Sequence, residues 1–371
     1  MRHLLNSFGG LRIWFRHTIA MAIVGLLAAC AAPLTQRVDV SDAASKAEAD
    51  RQLELAAREQ VAEQQRLSKV YSRLAANAVA LCPSTGPYLG LSAMSRPEGD
   101  GGSVFERVYR IQKAPTVLFV DDGGPAHRAG VAPGDIVARI NDAPVSSTAA
   151  IAEVLSAHKS AAPVRVELSR AGSPVTVEIV PTKACNYPAR VVPEQTINAF
   201  ADGERIMIAR GMMSFARDDT ELALVVAHEM AHNTMAHMES KKQNAGLGLL
   251  ADIAVAILTR GQVAGSNFSQ IGAVAYSQEF EAEADYVGLY ILANAGVPID
   301  DAPKFWRRMA VAHPANIRTN HSASHPSTAY RMVALEAAVK EIKEKIAKGQ
   351  PLVPNMKDGK PSRPEDGDQG K

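Results

Sequence analysis

The sequence carries no marked excess of either charge. Its 371 residues include 40 Lys and Arg against 39 Asp and Glu, which gives a formal net charge of +1. A nucleic-acid interface needs a basic surplus to neutralise phosphates, so we predict no nucleic-acid partner. The hydrophobic content of 47% is sufficient for two globular domains in a chain of this length.

A long apolar run is also missing near the start of the chain. Arg2, Arg12 and Arg16 precede an apolar stretch at 19–29 that is too short to span a membrane comfortably. A basic segment, a short apolar core and small residues are together typical of a secretory signal. We therefore predict that residues 1–29 are the signal peptide of an exported protein.

Cysteine occurs only three times, at Cys30, Cys82 and Cys185. Cys30 ends the tetrapeptide Leu-Ala-Ala-Cys, which resembles the lipobox of bacterial lipoproteins, and its acylation would anchor the chain to a membrane. Ala31 after this cysteine favours the periplasmic side of the outer membrane, by the same resemblance. The alternatives are an ordinary signal peptide cleaved at a neighbouring alanine and an uncleaved anchor.

Glycine and proline are both absent from residues 41–81, which are rich in Ala, Glu, Gln, Arg and Lys. This composition predicts a helix within a linker region at 30–85. Its second half has an apolar stripe that includes Leu67, Tyr71 and Leu74. The first half is thinly apolar, and we predict a solvated spacer there.

Short apolar runs broken by Gly and Pro begin at Gly86. Their pattern predicts four strands and one helix, with strands at 117–120, 136–140, 164–168 and 175–180 and the helix at 149–158. The run Gly-Pro-Ala-His-Arg-Ala-Gly-Val-Ala-Pro-Gly-Asp-Ile-Val at 124–137 resembles PDZ domains of bacterial proteases, and we assign 86–182 to one. Such domains bind a peptide C-terminus as an added strand. The resemblance implies a carboxylate loop at Leu89, Gly90 and Leu91, with a spacer or a lid as the alternative role.

Cys82 and Cys185 lie just outside the two ends of this domain. Export would place both in an oxidising compartment. We predict a disulfide that clamps the base of the domain, with free thiols as the alternative.

The motif His-Glu-x-x-His occupies residues 228–232 in an apolar segment with helical spacing. Histidines at i and i+4 project from one face of a helix, so His228 and His232 can reach the same metal ion. Glu229 is rotated by roughly 100° from His228, which suits it to hold a water molecule rather than to bind the metal. An ordinary buried helix with two hydrogen-bonded histidines is the alternative.

The third ligand has several candidates. Met238 stands six residues after His232, which excludes the class of site with a third histidine there, and His237 is expected to turn away from the metal face. Downstream, Glu281 and Asp285 are four residues apart and face the same way on a predicted helix. One of them can bind the metal, and the other can accept a hydrogen bond from a ligand histidine.

Two histidines and one glutamate with an open fourth position form a catalytic zinc set. The motif, followed about fifty residues later by Glu-x-x-Ala-Asp, resembles gluzincin metallopeptidases of the HtpX and CAAX prenyl protease (Ste-type) family, and most closely their periplasmic lipoprotein branch with an N-terminal PDZ domain. The resemblance implies a peptidase domain at 190–345 that binds one zinc ion. It assigns His228, His232 and Glu281 as zinc ligands, Glu229 as the general base and Asp285 as a support for a ligand.

A hairpin is predicted before the motif, because Asp202-Gly203 separates two short apolar runs. A strand beside the metal helix could pair with an extended peptide. We therefore take Asn198 and Ala199 as candidate peptide-binding residues.

His325 and Arg331 match the C-terminal segment of the same family. The resemblance implies that His325 approaches the metal or the oxyanion and that Arg331 supports the site. His325 could equally occupy the fourth metal position and hold the enzyme inactive. Both roles stay open at this stage.

Two further segments complete the interpretation. The apolar run at 247–258 is too short to span a membrane and is predicted to be a helix near the cleft. Residues 349–371 are rich in Pro, Gly and charge, and we predict a disordered tail.

The predicted fold class is α+β, with a mainly helical zincin-type domain and a small β-hairpin after a β-rich PDZ domain and an N-terminal helix. The expected function is zinc-dependent hydrolysis of peptide bonds in misfolded or misassembled envelope proteins. The alternatives are a PDZ-based chaperone or adaptor with a latched zinc site and a lipid-associated scaffold that needs zinc only for folding. Substrate, cleavage preference, oligomeric state and the role of the PDZ groove do not follow from the sequence.

Overall fold

The structure is a computed structural model that describes residues 35, 38–98, 100–158, 162–258, 277–312 and 329–357. The predicted signal peptide, Cys30 and His325 lie outside these residues. The chain divides into a unit at Met1–Gln52 and a unit at Leu53–Lys371. In the first unit, the described helical residues are exposed except for half-buried Asp50, which forms an ion pair with Lys46.

The helices and strands confirm the predicted α+β class. The helices are α1 (Asp42–Asn77), α2 (Asp100–Tyr109), α3 (Pro125–Arg128), α4 (Thr148–Ala157), α5 (Arg210–Phe215), α6 (Asp219–Thr234), α7 (His237–Leu258), α8 (Ser277–Asn294), α9 (Ala302–Ala312) and α10 (Ala329–Ala347). The strands are β1 (Thr85–Tyr88), β2 (Leu91–Met94), β3 (Thr116–Val120), β4 (Ile136–Ile140), β5 (Ala143–Pro144), β6 (Val164–Arg170), β7 (Ser173–Ile179), β8 (Thr182–Cys185), β9 (Ala189–Val192), β10 (Ala199–Ala201) and β11 (Ile206–Ala209). Among the described helices, none combines the length and the apolar character that crossing a bilayer requires.

The PDZ region is a six-stranded sheet with the order β2-β3-β4-β6-β7, to which β5 adds beside β4. Alternate residues of β6 are buried, as expected for a strand with one face on a core. Ser147 caps α4 by accepting a hydrogen bond from the backbone N–H of Ala150 at 3.1 Å. All four predicted strands and the predicted helix are present in this region.

The two ends of the PDZ region meet in a separate two-stranded sheet. Strands β1 and β8 pair antiparallel, with Thr85 opposite Cys185. Cys82 and Cys185 form a disulfide with a Cα–Cα distance of 5.7 Å. The sequence separation of 103 residues corresponds to a stabilisation of about 4–5 kcal/mol in the chain-entropy model of cross-links.

Helix α1 contributes to two hydrophobic cores rather than serving only as a linker. Leu67 and Leu74 are fully buried in the core that also contains α6 and α8. Ala57 and Val61 pack in a second cluster with Phe105 of α2 and with residues of β3. The polar segment after β2 therefore forms a helix that rests on α1, because its few apolar side chains lie on one face.

The peptidase region combines a three-stranded sheet with the order β10-β11-β9 and the helices from α5 onward. The predicted hairpin at Asp202-Gly203 is present, since β10 and β11 pair antiparallel around it. Gly203 adopts a φ of +101°, which a glycine tolerates without steric cost. Among the strands that the structure describes, β10 and β9 are at the two ends of this sheet.

The first part of the predicted disordered tail is ordered, and the prediction is corrected there. The carbonyl of Leu352 accepts a hydrogen bond from the Asn294 side chain at 2.8 Å, and the backbone N–H of Asn355 donates to the Tyr286 hydroxyl at 3.0 Å. Lys345 donates to the carbonyl of Val353. Backbone groups of residues 352–355 are therefore held by side chains of α8 and α10, an interaction that the composition of the tail does not reveal.

Candidate metal centre

The first turn of α6 is fixed at several points. Asp218 caps the helix by accepting a hydrogen bond from the backbone N–H of Glu221 at 2.8 Å. The Glu221 carboxylate in turn accepts two hydrogen bonds from Arg308, at 2.6 and 2.7 Å. These bonds hold the pKa of Glu221 below its usual value. Arg308 also lies over the ring of Phe215, the last residue of α5, so one arginine of α9 contacts both α5 and the first turn of α6.

The last turn of α6 is tied to the hairpin. The Asn233 side chain accepts a hydrogen bond from the backbone N–H of Gly203 at 2.8 Å and donates one to the carbonyl of Arg205 at 3.1 Å. Asn233 directly follows the second histidine of the motif. The hairpin of β10 and β11 is therefore held beside the metal helix.

Helix α8 approaches the backbone of α6 at Gly288. A Cβ atom at this position would lie 3.3 Å from the carbonyl of Ala227 and from the backbone nitrogen of His228. A glycine inside a helix is destabilising by roughly 1 kcal/mol relative to alanine, so its presence here follows from packing. The short approach brings the carboxylates of α8 to the histidine face of α6.

His228, His232 and Glu281 meet at one point. The two Nε2 atoms are 3.1 Å apart, and the Glu281 carboxylate oxygens lie 3.3 Å from Nε2 of His228 and 3.4 Å from Nε2 of His232. All three residues are buried, and their ligand atoms form a group that could hold a metal ion. Of the two carboxylates that the sequence left open, Glu281 is the one in the cluster.

These separations fit a zinc ion. Zinc binds histidine nitrogen and carboxylate oxygen at about 2.0–2.1 Å in a tetrahedral arrangement, which places neighbouring ligand atoms about 3.3–3.4 Å apart. The three measured distances are within a few tenths of an ångström of that value. The donor set and its geometry therefore suit a zinc site with three protein ligands.

Asp285 contacts His228 at Nδ1, the ring nitrogen that is not part of the ligand cluster. Its Oδ1 atom lies 3.0 Å from Nδ1 of His228, on the opposite side of the ring from Glu281. Arg331 donates to both carboxylate oxygens of Asp285, at 2.7 and 2.8 Å. Its guanidinium also lies over the ring of Trp306, which is 5.0 Å from the ring of His228 between centroids.

The electrostatics of the cluster favour a positive charge at His228. Burial lowers the pKa of this imidazole, but hydrogen bonds to Asp285 and Glu281 and their charges outweigh burial and raise the pKa to about 9. Burial raises the pKa of Asp285, but the charge of Arg331, the hydrogen bonds from His228 and Arg331 and the charge of His228 together lower the pKa below its usual value, so this carboxyl is held ionised. The same carboxylates would stabilise a cation bound in place of the proton.

Glu229 lies between the two histidines on α6 and is 2% exposed. Its negative charge is one of those that raise the pKa of Arg331. A buried glutamate next to a metal-ligand cluster has the chemistry of a general base.

The sequence did not anticipate the place of His237. Helix α6 ends at Thr234, and Ala236 has a φ of +53°, so the chain turns before α7 begins at His237. This turn brings the imidazole back to the site, where its Nδ1 atom lies 2.9 Å from Nδ1 of His232. The prediction assumed one continuous helix, and neither Gly nor Pro marks the break.

The PDZ loop residues belong to a different core. Leu89 is buried with residues of the six-stranded sheet, and Gly90 adopts a φ of +70°. The carbonyl of Gly90 accepts a hydrogen bond from the backbone N–H of Asp121. Leu91 begins β2, which is the edge strand of its sheet. An edge strand is the position at which a peptide can add by backbone hydrogen bonds.

Comparisons with known proteins match both regions. Residues 168–339 match the model of peptidase family M48, and residues 87–180 match the model of the PDZ domain. The crystal structure of the HtrA3 PDZ domain bound to a phage-derived ligand covers 27% of this chain and 88% of its own, at 18% identity and a TM-score of 0.22.

Two relatives have names of metal-dependent or assembly proteases. The putative beta-barrel assembly-enhancing protease of Vibrio cholerae is 31% identical over 134 residues, 32% of this chain and 28% of the relative. The mitochondrial metalloendopeptidase OMA1 of Schizosaccharomyces pombe is 29% identical over 165 residues, 43% of this chain and 48% of the relative. The chain thus spans less than half the length of either relative. Together with the family matches, these names support a metalloprotease region that follows a PDZ domain.

Proposed function

We propose that the protein is a zinc-dependent endopeptidase that cleaves polypeptides in the cell envelope. The observation that carries the proposal is the buried cluster of His228, His232 and Glu281, in which the two histidines share helix α6 with Glu229. A structural zinc site closes all four positions with protein ligands, whereas three ligands and an adjacent glutamate suit catalysis.

The three ligands would hold one zinc ion, which supplies Lewis acidity toward a peptide carbonyl and a water molecule. Glu229 then accepts the proton of the attacking water and returns it to the leaving amine. Asp285 keeps the proton of His228 on Nδ1, so that Nε2 presents its lone pair to the ligand cluster. Arg331 keeps Asp285 ionised in this buried position.

The substrate is proposed to be an extended polypeptide. Strand β10, which includes Ala199, is at the edge of its sheet and in contact with the metal helix. A peptide that runs along β10, past Asn198 and Ala199, would pass beside the ligand cluster. The PDZ loop at Leu89, Gly90 and Leu91 would bind a free C-terminus of the same or another chain. The Vibrio cholerae relative is named for beta-barrel assembly, and in line with this name we propose misfolded or misassembled envelope proteins as the substrate class.

Cleavage of an unfolded protein such as casein by the purified chain tests the enzymatic proposal. Wild-type protein is expected to cleave casein, to lose activity in a chelator and to regain it when zinc is added, because the ligand cluster is the reaction centre. The His325→Ala variant is measured beside it. If this variant cleaves faster than wild type, His325 acts as a latch. Zinc binding without cleavage by either protein would contradict the proposed enzyme and favour a PDZ-based adaptor.

The location of the protein is a further part of the proposal. We propose that the chain is exported, acylated at Cys30 and held at the periplasmic face of the outer membrane. The lipobox resemblance supports this location, and so does the name of the Vibrio cholerae relative, which refers to beta-barrel assembly. Cell fractionation should recover wild type with outer membranes and Cys30→Ser in the soluble periplasmic fraction. Equal membrane recovery of the two proteins would contradict acylation at Cys30.

A further inference from the structure

His237 occupies a buried position beside the metal cluster that the proposed mechanism does not use. Its side chain is 1% exposed and stacks on the ring of Phe280 with a centroid distance of 4.7 Å. Its Nδ1 atom lies 2.9 Å from Nδ1 of His232, and its Nε2 atom lies 2.9 Å from the Glu283 carboxylate. His232, His237 and Glu283 are thus connected in sequence by two contacts of hydrogen-bond length, and Glu283 is the member furthest from the metal cluster along this chain of contacts.

The protons along this line follow from the chemistry of metal binding. Nε2 of His232 faces Glu281 and His228, so it must carry no proton when it binds a cation. The single proton of neutral His232 is then on Nδ1, where it can be donated only if the facing nitrogen of His237 is an acceptor. His237 consequently carries its own proton on Nε2, which donates to Glu283. Each imidazole is neutral in this arrangement, and every hydrogen bond has one donor.

We propose that His237 is a positioning residue for the metal ligand His232, and that Glu283 fixes the tautomer of His237. The inference rests on the proposed function, because it needs His232 to be a zinc ligand. His237 would serve His232 as Asp285 serves His228. Metal-binding histidines generally donate their second N–H to a carboxylate, a carbonyl or water, and the loss of such a partner weakens metal binding by about 10–100-fold. Here an imidazole is the acceptor, and the carboxylate stands one step further away.

The two supports differ in strength. Asp285 is a buried carboxylate held by two hydrogen bonds from buried Arg331. His237 is backed by Glu283, whose side chain is 42% exposed and therefore partly screened by solvent. His232 is accordingly the ligand histidine whose orientation depends on a neutral partner.

Two substitutions of His237 separate positioning from packing. His237→Phe keeps a ring that can stack on Phe280 but removes the acceptor for His232. His237→Asn loses the ring but places an amide oxygen near the position of Nδ1, where it can accept the same hydrogen bond. A purely structural role predicts that Phe is tolerated better, whereas positioning predicts that Asn is tolerated better.

The measurement is the zinc dissociation constant of the full chain by competition with a chromogenic chelator. We expect His237→Phe to bind zinc about 10–100-fold more weakly than wild type and His237→Asn to remain several-fold tighter than His237→Phe. Wild-type affinity in the phenylalanine variant, or equal weakening in both variants, would overturn the inference. Thermal unfolding in the presence of chelator identifies any variant that does not fold.

Glu283 offers a second test that leaves the buried ring in place. Glu283→Ala is expected to weaken zinc binding by a few fold, because His237 loses the acceptor that fixes its tautomer. Glu279→Ala removes an exposed carboxylate from the same helix and should leave the dissociation constant unchanged. Equal affinities of these two variants would overturn the role of Glu283. Because the readout is zinc binding, wild type that binds zinc but cleaves nothing would refute the proposed peptidase and leave this inference standing, whereas wild type that binds no zinc would refute both.

Discussion

Replacing Glu229 by glutamine is expected to lower kcat/KM for casein cleavage by about 10²–10⁴-fold, the usual contribution of a general base. Glutamine has nearly the shape of glutamate but cannot take a proton from water. Because His228, His232 and Glu281 are unchanged, the variant should bind zinc as wild type does. Parallel measurements of cleavage rate and of bound zinc check both halves of this expectation.

The matched control for this variant is Glu279→Gln, an identical change at an exposed glutamate of α8. It should leave both cleavage and zinc content unchanged. Unaltered cleavage by Glu229→Gln would remove Glu229 from the mechanism. A large loss of zinc from Glu229→Gln would instead show that Glu229 is a ligand, in conflict with its position off the histidine face.

The parts of the site that local periodicity determines were predictable from the sequence. His228 and His232 are four residues apart, and a continuous helix is sufficient to place them on one face. The choice of Glu281 over Asp285 was not predictable from spacing alone, because both face α6. The choice depends on the position of α8 along the axis of α6, and the close contact at Gly288 determines this position. The family resemblance supplied this choice, and the structure places Glu281 in the cluster.

The parts that depend on a break or on distant packing were not predictable. His237 was expected to point away because the count of residues assumed that α6 continues through Ala236. The left-handed conformation at Ala236 carries no sequence signal, since neither Gly nor Asn stands there. The bond between Glu283 and His237 follows from the same turn, so it was not predictable either.

In the overall fold, too, local features were predictable from the sequence and long-range packing was not. The strands of the PDZ region followed from alternation and from turn residues, which act over a few positions. The burial of α1 against both regions did not, because its stripe of apolar residues does not say which partner covers it. Leu67 and Leu74 are buried in the core that contains α6, which lies more than a hundred residues further along the chain.

Arg331 is expected to be the most sensitive charged residue outside the ligand cluster. Its side chain is 1% exposed and bonds both oxygens of Asp285, and it also lies 3.5 Å from Glu281. Arg331→Met keeps much of the side-chain volume but removes the guanidinium that pairs with the buried Asp285 carboxylate. Breaking one partner of a buried ion pair destabilises a protein by about 3–5 kcal/mol. We expect a loss of this size in the free energy of unfolding, measured with guanidinium in the presence of chelator so that zinc binding does not contribute.

Two controls decide whether the loss belongs to the buried pair. Arg307→Met removes an arginine from the neighbouring helix α9, where it pairs with Glu336 at the surface. Exposed pairs contribute about 0–1 kcal/mol, so this change should be nearly neutral. Combining Arg331→Met with Asp285→Asn removes both charges, and the double variant should be less destabilised than the sum of the two single variants, because no isolated charge remains buried. If Arg331→Met is as harmless as Arg307→Met, the buried pair does not stabilise the fold, and the support that Asp285 gives to His228 does not depend on Arg331.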